Sequence, residues 1–230
     1  MGYKLTWAYI GSQKVRPHED PIIPRTPWDD TKLYFEFEND INNSAWTSYG
    51  VSGSSWLTYT EVGGQYAISN TSYNSYIKVS WNCWASIGTW NFALSLWVNP
   101  VAPSSWKDVY LFHVSNTGIY YQGTSILWKV ASSEYATSSW LTNFNGSWHH
   151  LVMTRNGTTV TCYIDNVATS TFTSSASFST STEGNIFASS GWRWSTSWAQ
   201  MDKFILEAKW WSAADVDNYF RSTKAIYWVS

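Results

Sequence analysis

Charge is what this chain has least of. Asp, Glu, Lys and Arg make up only 13% of its 230 residues, about half the share usual in soluble domains. Fourteen Lys and Arg stand against sixteen Asp and Glu, a net charge of −2. Nucleic-acid binders need a clustered basic face, because phosphate neutralisation supplies much of their affinity, so no nucleic-acid partner is expected. Cysteine is nearly absent. Cys83 and Cys162 are the two present, too few for a disulfide-built scaffold and without the CxxC or His/Cys clustering of a zinc site. Each lies in a strand-like run, and the pair reads either as two buried free thiols or as one disulfide.

Proline is scarce beyond Pro27, since four of the six fall at Pro17, Pro21, Pro24 and Pro27. Proline fixes φ and removes a donor, so residues 1–29 read as an extended N-terminal arm unable to join a central strand. Long hydrophobic runs are missing as well. The charge-free interval between Lys78 and Lys107 is broken by Asn, Ser, Thr and Pro100 and alternates with period two. A membrane-crossing helix needs about 20 predominantly apolar residues, so no membrane insertion is expected. Met1 to Ile10 lacks the basic start and apolar run of a secretory signal. No repeat of 20 to 50 residues occurs, nor a Gly-x-Ser-x-Gly elbow, a P-loop or a His-Glu-x-x-His pair.

What is abundant is aromatic and hydroxylic. Aromatics reach 19%, with 18 Trp and 15 Tyr, and Ser and Thr suit strands and turns better than helices. The most telling stretch runs from Ser147 to Val167. Two alternating runs meet at Asn156-Gly157, the strongest short-range signal for a hairpin with a tight primed turn, which is read here with positive φ at both residues. Trp148, His150 and Val152 point one way from the first strand, and His149, Leu151 and Met153 the other. Val160, Cys162 and Ile164 share a face on the return strand. A second turn at Asp165-Asn166 completes a three-stranded meander.

Other strands are expected at Leu33–Glu38, Ser55–Thr60, Tyr76–Trp81, Asn91–Val98, Val109–Val114, Ile119–Gln122, Ser125–Val130, Ile186–Ala188 and Lys203–Trp210. Turn-rich clusters separate them at sandwich-like spacing. One helix is expected, from Ser212 to about Ser222, opened by a capping-box variant between Ser212 and Asp215. Val216, Tyr219 and Phe220 form its apolar stripe. The fold class is therefore an all-β antiparallel sandwich over residues 30–230, with one short C-terminal helix.

Three stretches carry a resemblance. "WHHLVMTRNGTTVTCYIDNV", "WNFALSLWVNP" (Trp90 to Pro100) and "AQMDKFILEAKWWSAADVDNYF" (Ala199 to Phe220) are similar, in order and spacing, to the laminin-G-like, concanavalin A-type jelly-roll domains. With the opening strand, the similarity covers roughly residues 30 to 225. It implies a jelly-roll sandwich and a superfamily that hosts lectins, protein binders and glucan hydrolases. "YIGSQKVRP" (Tyr9 to Pro17) loosely resembles leader segments of phage structural proteins.

Glucan hydrolases of this fold carry a Glu-x-Asp-x-(x)-Glu strand, because one carboxyl protonates the leaving oxygen while the other attacks or activates water. The nearest approach is Glu36-Phe-Glu38-Asn-Asp40, on the opening strand and in the wrong order. Glu36 and Glu38 read as solvent-facing residues sharing a strand face, so no catalytic residue is assigned. His149 and His150 point to opposite faces and cannot share a metal, and His150 reads as a satisfied inner-face histidine.

The resemblance also implies a Ca2+ site, with Asp202 at the start of the closing strand and Asn39 and Asp40 after the opening one. Calcium wants six to eight oxygens, so backbone carbonyls would complete the set. Lys203 stands where the family has an acid. The alternative is that Asp202 caps a turn or pairs with Lys203 or Arg193.

The tryptophans exceed what one core takes. Trp97, Trp148 and Trp210 are expected on core faces. Trp46, Tyr49, Trp56, Tyr73, Trp106 and Trp140 sit in Ser-, Asn- and Gly-rich contexts. In Gly191-Trp-Arg-Trp-Ser-Thr-Ser-Trp198, an extended chain puts Trp192, Trp194 and Trp198 on one side. An indole offers a flat apolar plane with one polar N–H, which suits the C–H face of a sugar ring. Trp192, Trp194, Trp198, Trp140 and Trp106 are therefore candidate carbohydrate-binding residues, and packing beneath the sandwich or against the arm is the other reading. The expected function is non-enzymatic recognition of a glycan or cell-surface polysaccharide. The resemblance, the composition and the missing signal point to a virion or extracellular surface, such as a phage tail fibre or receptor-binding component, where residues 1–29 would serve homo-oligomer or virion assembly. A structural coat or decoration protein and a glycoside hydrolase are the alternatives.

Overall fold

A computed structural model describes residues 8–10, 13–15, 30–45, 47, 49–72, 75–80, 87, 91–101, 109–114, 117–122, 125–130, 135–139, 146–177, 184–188 and 199–227. Among the described residues before Asp30, β1 (Ala8–Ile10) and β2 (Gln13–Val15) pair with each other. Two larger sheets make the sandwich. The first runs β12 (Tyr135–Ser139), β11 (Ser125–Lys129), β10 (Thr117–Gln122), β9 (Val109–Val114), β16 (Gly184–Ile186), β7 (Tyr76–Val79) and β4 (Val51–Ser55). The second runs β15 (Val167–Thr173), β14 (Thr159–Ile164), β13 (His149–Asn156), β8 (Phe92–Asn99), β17 (Gln200–Glu207), β6 (Gln65–Asn70) and β5 (Leu57–Val62). The opening strand β3 (Thr31–Phe35) also pairs with β17. Every pairing is antiparallel, the sandwich that the strand spacing predicts.

Alternation sorts the side chains into two layers. Phe92, Leu94, Leu96 and Val98 of β8, Leu151 and Met153 of β13, and Val160, Cys162 and Ile164 of β14 all lie in the core between the sheets. The opposite side of the second sheet is buried too, beneath helix α1 (Ala213–Tyr227). Ala93 and Trp97, Val152 and Ile205 meet Trp211, Val216, Tyr219, Phe220 and Tyr227 there. Each fully buried large apolar side chain contributes about 1.5–3 kcal/mol, so this third layer is a substantial part of the fold.

Helix α1 opens as the capping box requires. Asp215 N–H donates to Ser212 Oγ at 3.2 Å, and Ser212 N–H donates back to Asp215 Oδ2 at 2.8 Å. The helix continues to Tyr227 instead of stopping near Ser222. Its last turn has tertiary partners: Thr223 Oγ1 accepts from Trp97 Nε1 at 3.0 Å, and the Tyr227 ring stacks on Trp97 at 4.2 Å between centroids.

That layer corrects the reading of His150. The residue is fully buried, but on the helix side of β13 and not between the sheets, stacked with Trp97 at 5.1 Å and bonded through Nε2 to Ser95 Oγ at 2.8 Å. Trp97 is buried in the same layer, with Trp148 packed half-buried at its edge. Trp210, expected on a core face, is 39% exposed, and its neighbour Trp211 takes the buried place. The hairpin turn is also shifted by one. Asn156 pairs with Thr159, and only Gly157 has positive φ, at 60°. The turn is therefore centred on Gly157-Thr158, where a glycine-first primed turn needs positive φ at one position only. At the next turn Asp165 and Asn166 both have positive φ, 48° and 68°, as the two-residue turn read there requires. Cys162 is a buried free thiol whose pKa burial raises, and Cys83 lies outside the described residues. Strands β4, β6 and β12 were not expected: β4 is Ser- and Gly-rich, and β6 and β12 have no clean alternation.

Candidate functional site

The strand ends define a rim. In the second sheet, His149 stands opposite Val98, Gln200 opposite both Asn99 and Ser69, and Leu57 opposite Asn70. In the first sheet, Ser55 stands opposite Tyr76, Val109 opposite Tyr121, and Ser139 opposite Ser125. The two rows meet where the chain steps from Ser55 at the end of β4 to Leu57 at the start of β5. Gly146 N–H, just ahead of β13, donates to Pro100 C=O just after β8, at 2.8 Å. The segments 102–108, 140–145 and 189–198 therefore each join strands whose flanking ends lie on this rim. They carry Trp106, Trp140, and Trp192, Trp194 and Trp198, all five of which lie outside the described residues.

One rim tryptophan is fully described and was not among the candidates. Trp56 is 66% exposed at the β4–β5 corner, with φ at 54°. Its carbonyl accepts from Thr71 N–H at 3.2 Å, from Thr71 Oγ1 at 2.9 Å and from Ser75 Oγ at 2.5 Å. In the sequence it stood inside an expected strand, and only its neighbouring serines hinted at a corner.

Asp202 sits under helix α1 and is 1% exposed. Its Oδ1 accepts from Lys203 N–H at 2.6 Å and its Oδ2 from the Tyr227 hydroxyl at 2.7 Å. Burial pushes its pKa up to about 7, against the lowering effects of Lys203 and of these hydrogen bonds. A β-bulge explains its direction. Asp202 pairs with Trp97 and Ile205 with Ser95, so β17 holds one extra residue there, and Lys203 takes φ at 50°. Asn39 and Asp40 are exposed beyond the opening strand, and both Asp40 oxygens accept from Asn42, at 2.9 Å each. Asp202 and Asp40 take these bonds from different residues. Among the described residues no group of three or more His, Cys, Asp or Glu could hold a metal ion. Asp202, buried beside Lys203 with a donor on each oxygen, is engaged by the protein itself.

The two acids expected on the opening strand fall beyond its end. β3 stops at Phe35, and Phe37 turns with φ at 57°. Glu38 accepts from Tyr66 N–H at 3.1 Å and lies 3.5 Å from Lys203 Nζ. The half-buried His149 bonds Asp165 through Nδ1 at 2.6 Å, and Asp165 also accepts from His150 N–H at 2.9 Å. This arrangement braces the Asp165-Asn166 turn.

Known proteins share this fold. None of the curated proteins matches the chain. Among solved structures, the binding domain of Paraclostridial Mosquitocidal Protein 1 superposes with a TM-score of 0.72 at 17% identity, over 84% of this chain and 52% of that one. The botulinum neurotoxin serotype G binding domain gives 0.65 at 14% identity, over 83% and 50%. Domain 4 of AbnA, an extracellular arabinanase from Geobacillus stearothermophilus solved with arabinotriose, gives 0.62 at 16% identity, over 83% and 98%. This chain thus spans about half the length of the two toxin domains, and identities this low establish the fold alone. Residues 69–216 match the laminin-G family described as the concanavalin A-like lectin/glucanases superfamily. With its strand order, helix and matched span taken together, this chain belongs to the concanavalin A-like lectin/glucanases superfamily.

Proposed function

We propose that this chain is a non-enzymatic carbohydrate-binding module that holds a glycan or cell-surface polysaccharide along the tryptophan-bearing rim. The observation that carries the reading is convergence. Segments distant in sequence, holding Trp106, Trp140 and the Trp192–Trp198 row, begin and end on the same rim that displays Trp56. Indole planes grip the apolar face of a sugar, while Ser, Thr and Asn side chains satisfy its hydroxyls. The AbnA domain, similar in fold over nearly its whole length, was solved with arabinotriose. A binding role is favoured over hydrolysis because the two similar toxin structures are binding domains and because Glu38 is engaged by Tyr66 N–H and Lys203. In this reading the chain is an adhesin, of a virion in the first instance, and residues 1–29 attach or oligomerise it.

A glycan array probed with the full chain and with the Trp192→Ala/Trp194→Ala variant tests the proposal. The expected result is saturable binding by the wild type, lost in the variant with an unchanged melting midpoint. A variant that loses binding only by unfolding assigns those rings to packing. A stable large assembly in sedimentation, with no glycan signal, favours the coat-protein reading instead.

A further inference from the structure

We infer that Trp56 is a fixed stacking platform at the β4–β5 end of the rim, and that the sugar ring it takes is uncharged. The inference rests on the glycan-binding reading and adds to it a residue and a saccharide class. Three features of the corner separate this tryptophan from one that is merely exposed.

The first is the backbone. A bulky residue with φ in the left-handed region is rare and persists only where its surroundings enforce it. Here they do. The Trp56 carbonyl takes three donors from Thr71 and Ser75, and Ser75, fully buried, accepts in turn from Thr71 N–H at 3.1 Å and Ser72 N–H at 3.0 Å. The backbone that carries the indole is therefore pinned, so less chain freedom is forfeited when a ligand stacks on the ring.

The second feature is presentation. Exposure alternates through the corner, with Ser52, Ser54, Trp56 and Thr58 exposed and the residues between them half-buried. A broad apolar plane is thus bracketed by hydroxyl groups. Saccharides demand that combination, since their rings expose C–H on one face and O–H around the edge.

The third feature is charge. Residues 41–60 and 62–77 contain no Asp, Glu, Lys, Arg or His. Those spans include β4, the corner half of β5 and the segment that pins the corner. Glu61 lies five residues up the strand, roughly 16 Å away at about 3.3 Å per residue. The nearest described cation, Lys78 on the neighbouring β7, pairs across from Gly53 and lies over the Tyr76 ring at 5.8 Å to its centroid, so an acidic sugar at Trp56 would have to draw it away or surrender hydration unpaired. A neutral ring needs no counter-ion there.

The test uses the full chain against neutral oligosaccharides ending in galactose, glucose, mannose or arabinose, and against length-matched sialylated and uronic-acid oligosaccharides. Trp56→Asn removes the plane but suits the left-handed backbone, and Trp56→Phe keeps a smaller flat ring. Expected are wild-type preference for a neutral ligand, an affinity loss of about tenfold or more in Trp56→Asn, a smaller loss in Trp56→Phe, and unchanged melting midpoints. Undiminished binding by Trp56→Asn overturns the platform and leaves the rim reading standing. A wild-type preference for acidic sugars overturns the saccharide class. A wild type that binds no glycan overturns both. Self-association abolished by Trp56→Asn, with glycan binding intact, assigns the ring to a contact between copies and overturns the platform. If Trp56→Asn melts early, Trp56→Phe decides: a loss of affinity at full stability supports the platform, and no loss overturns it.

Discussion

The hydroxyl of Tyr227, in the last turn of helix α1, donates to Oδ2 of Asp202 at 2.7 Å across the packed face of the second sheet. This bond and the Trp97–Tyr227 stack tie the end of the helix to the sheet beneath it. Because Asp202 is buried, the bond links stability to pH. Its folded pKa, about 7, lies above the model-compound value of 3.8. A raised acid contributes stability that is fully present below the unfolded value and is lost as pH rises through about 7. Asp202→Asn keeps the shape without the titration. Urea denaturation at pH 5 and pH 8 is expected to show the wild type losing stability relative to Asp202→Asn at the higher pH, and parallel profiles would contradict the linkage.

His150 pulls the other way. Burial lowers its pKa from 6.5 to about 3. Its contribution is present above 6.5 and fades as pH falls toward 3, because the unfolded state takes up the proton first. The same two-pH measurement on His150→Gln is expected to show less acid loss than the wild type. Equal acid loss would mean that His150 titrates normally.

Calcium should leave the protein unmoved. Both Asp202 oxygens and both Asp40 oxygens already have donors. A ligand that binds only the folded state raises stability in proportion to the logarithm of its concentration. The melting midpoint is therefore expected to be the same in excess EDTA and in millimolar Ca2+, and a rise with Ca2+ would show a site assembled from other groups.

Ser138 closes the open side of the sandwich. Its hydroxyl accepts from Trp128 Nε1 at 2.7 Å and meets Thr169 and Ser170 of β15 at 2.8 and 3.0 Å. Ser138→Ala strands a buried indole N–H, which costs about 1–3 kcal/mol. Urea unfolding should show that loss, and a change under about 0.5 kcal/mol, the usual range for surface substitutions, would mean that the closure is slack.

Gly63, in the β5–β6 turn, has φ at 57°, and a Cβ there would lie 2.2 Å from the backbone oxygen of Ile226 near the end of helix α1. Gly64 has φ at 84° but open space around it. Gly63→Ala is expected to lower the melting midpoint more than Gly64→Ala, since only the first adds a backbone clash to the conformational cost. Equal shifts would remove the turn–helix contact from the account.

Much of this fold could be read from local pattern, because a strand's alternation and a helix's cap are written in neighbouring residues. Leu33, Phe35 and Phe37, the β13–β14 hairpin, and the Ser212–Asp215 box all follow from such spacing. The candidate site was legible only as a surplus of tryptophan in loop-like stretches. That those stretches share a rim depends on which strands pair, and pairing joins residues far apart in the chain.

Composition and periodicity settled that this chain is an antiparallel sandwich poor in charge and rich in indole, since both report directly on which side chains must leave water. Tertiary structure alone decided the faces. One extra residue at Lys203 turns Asp202 toward the helix, and a pinned carbonyl turns Trp56 into solvent. A bulge or a left-handed corner reverses a side chain without leaving a periodic trace, because its cause is a partner that the local sequence does not contain.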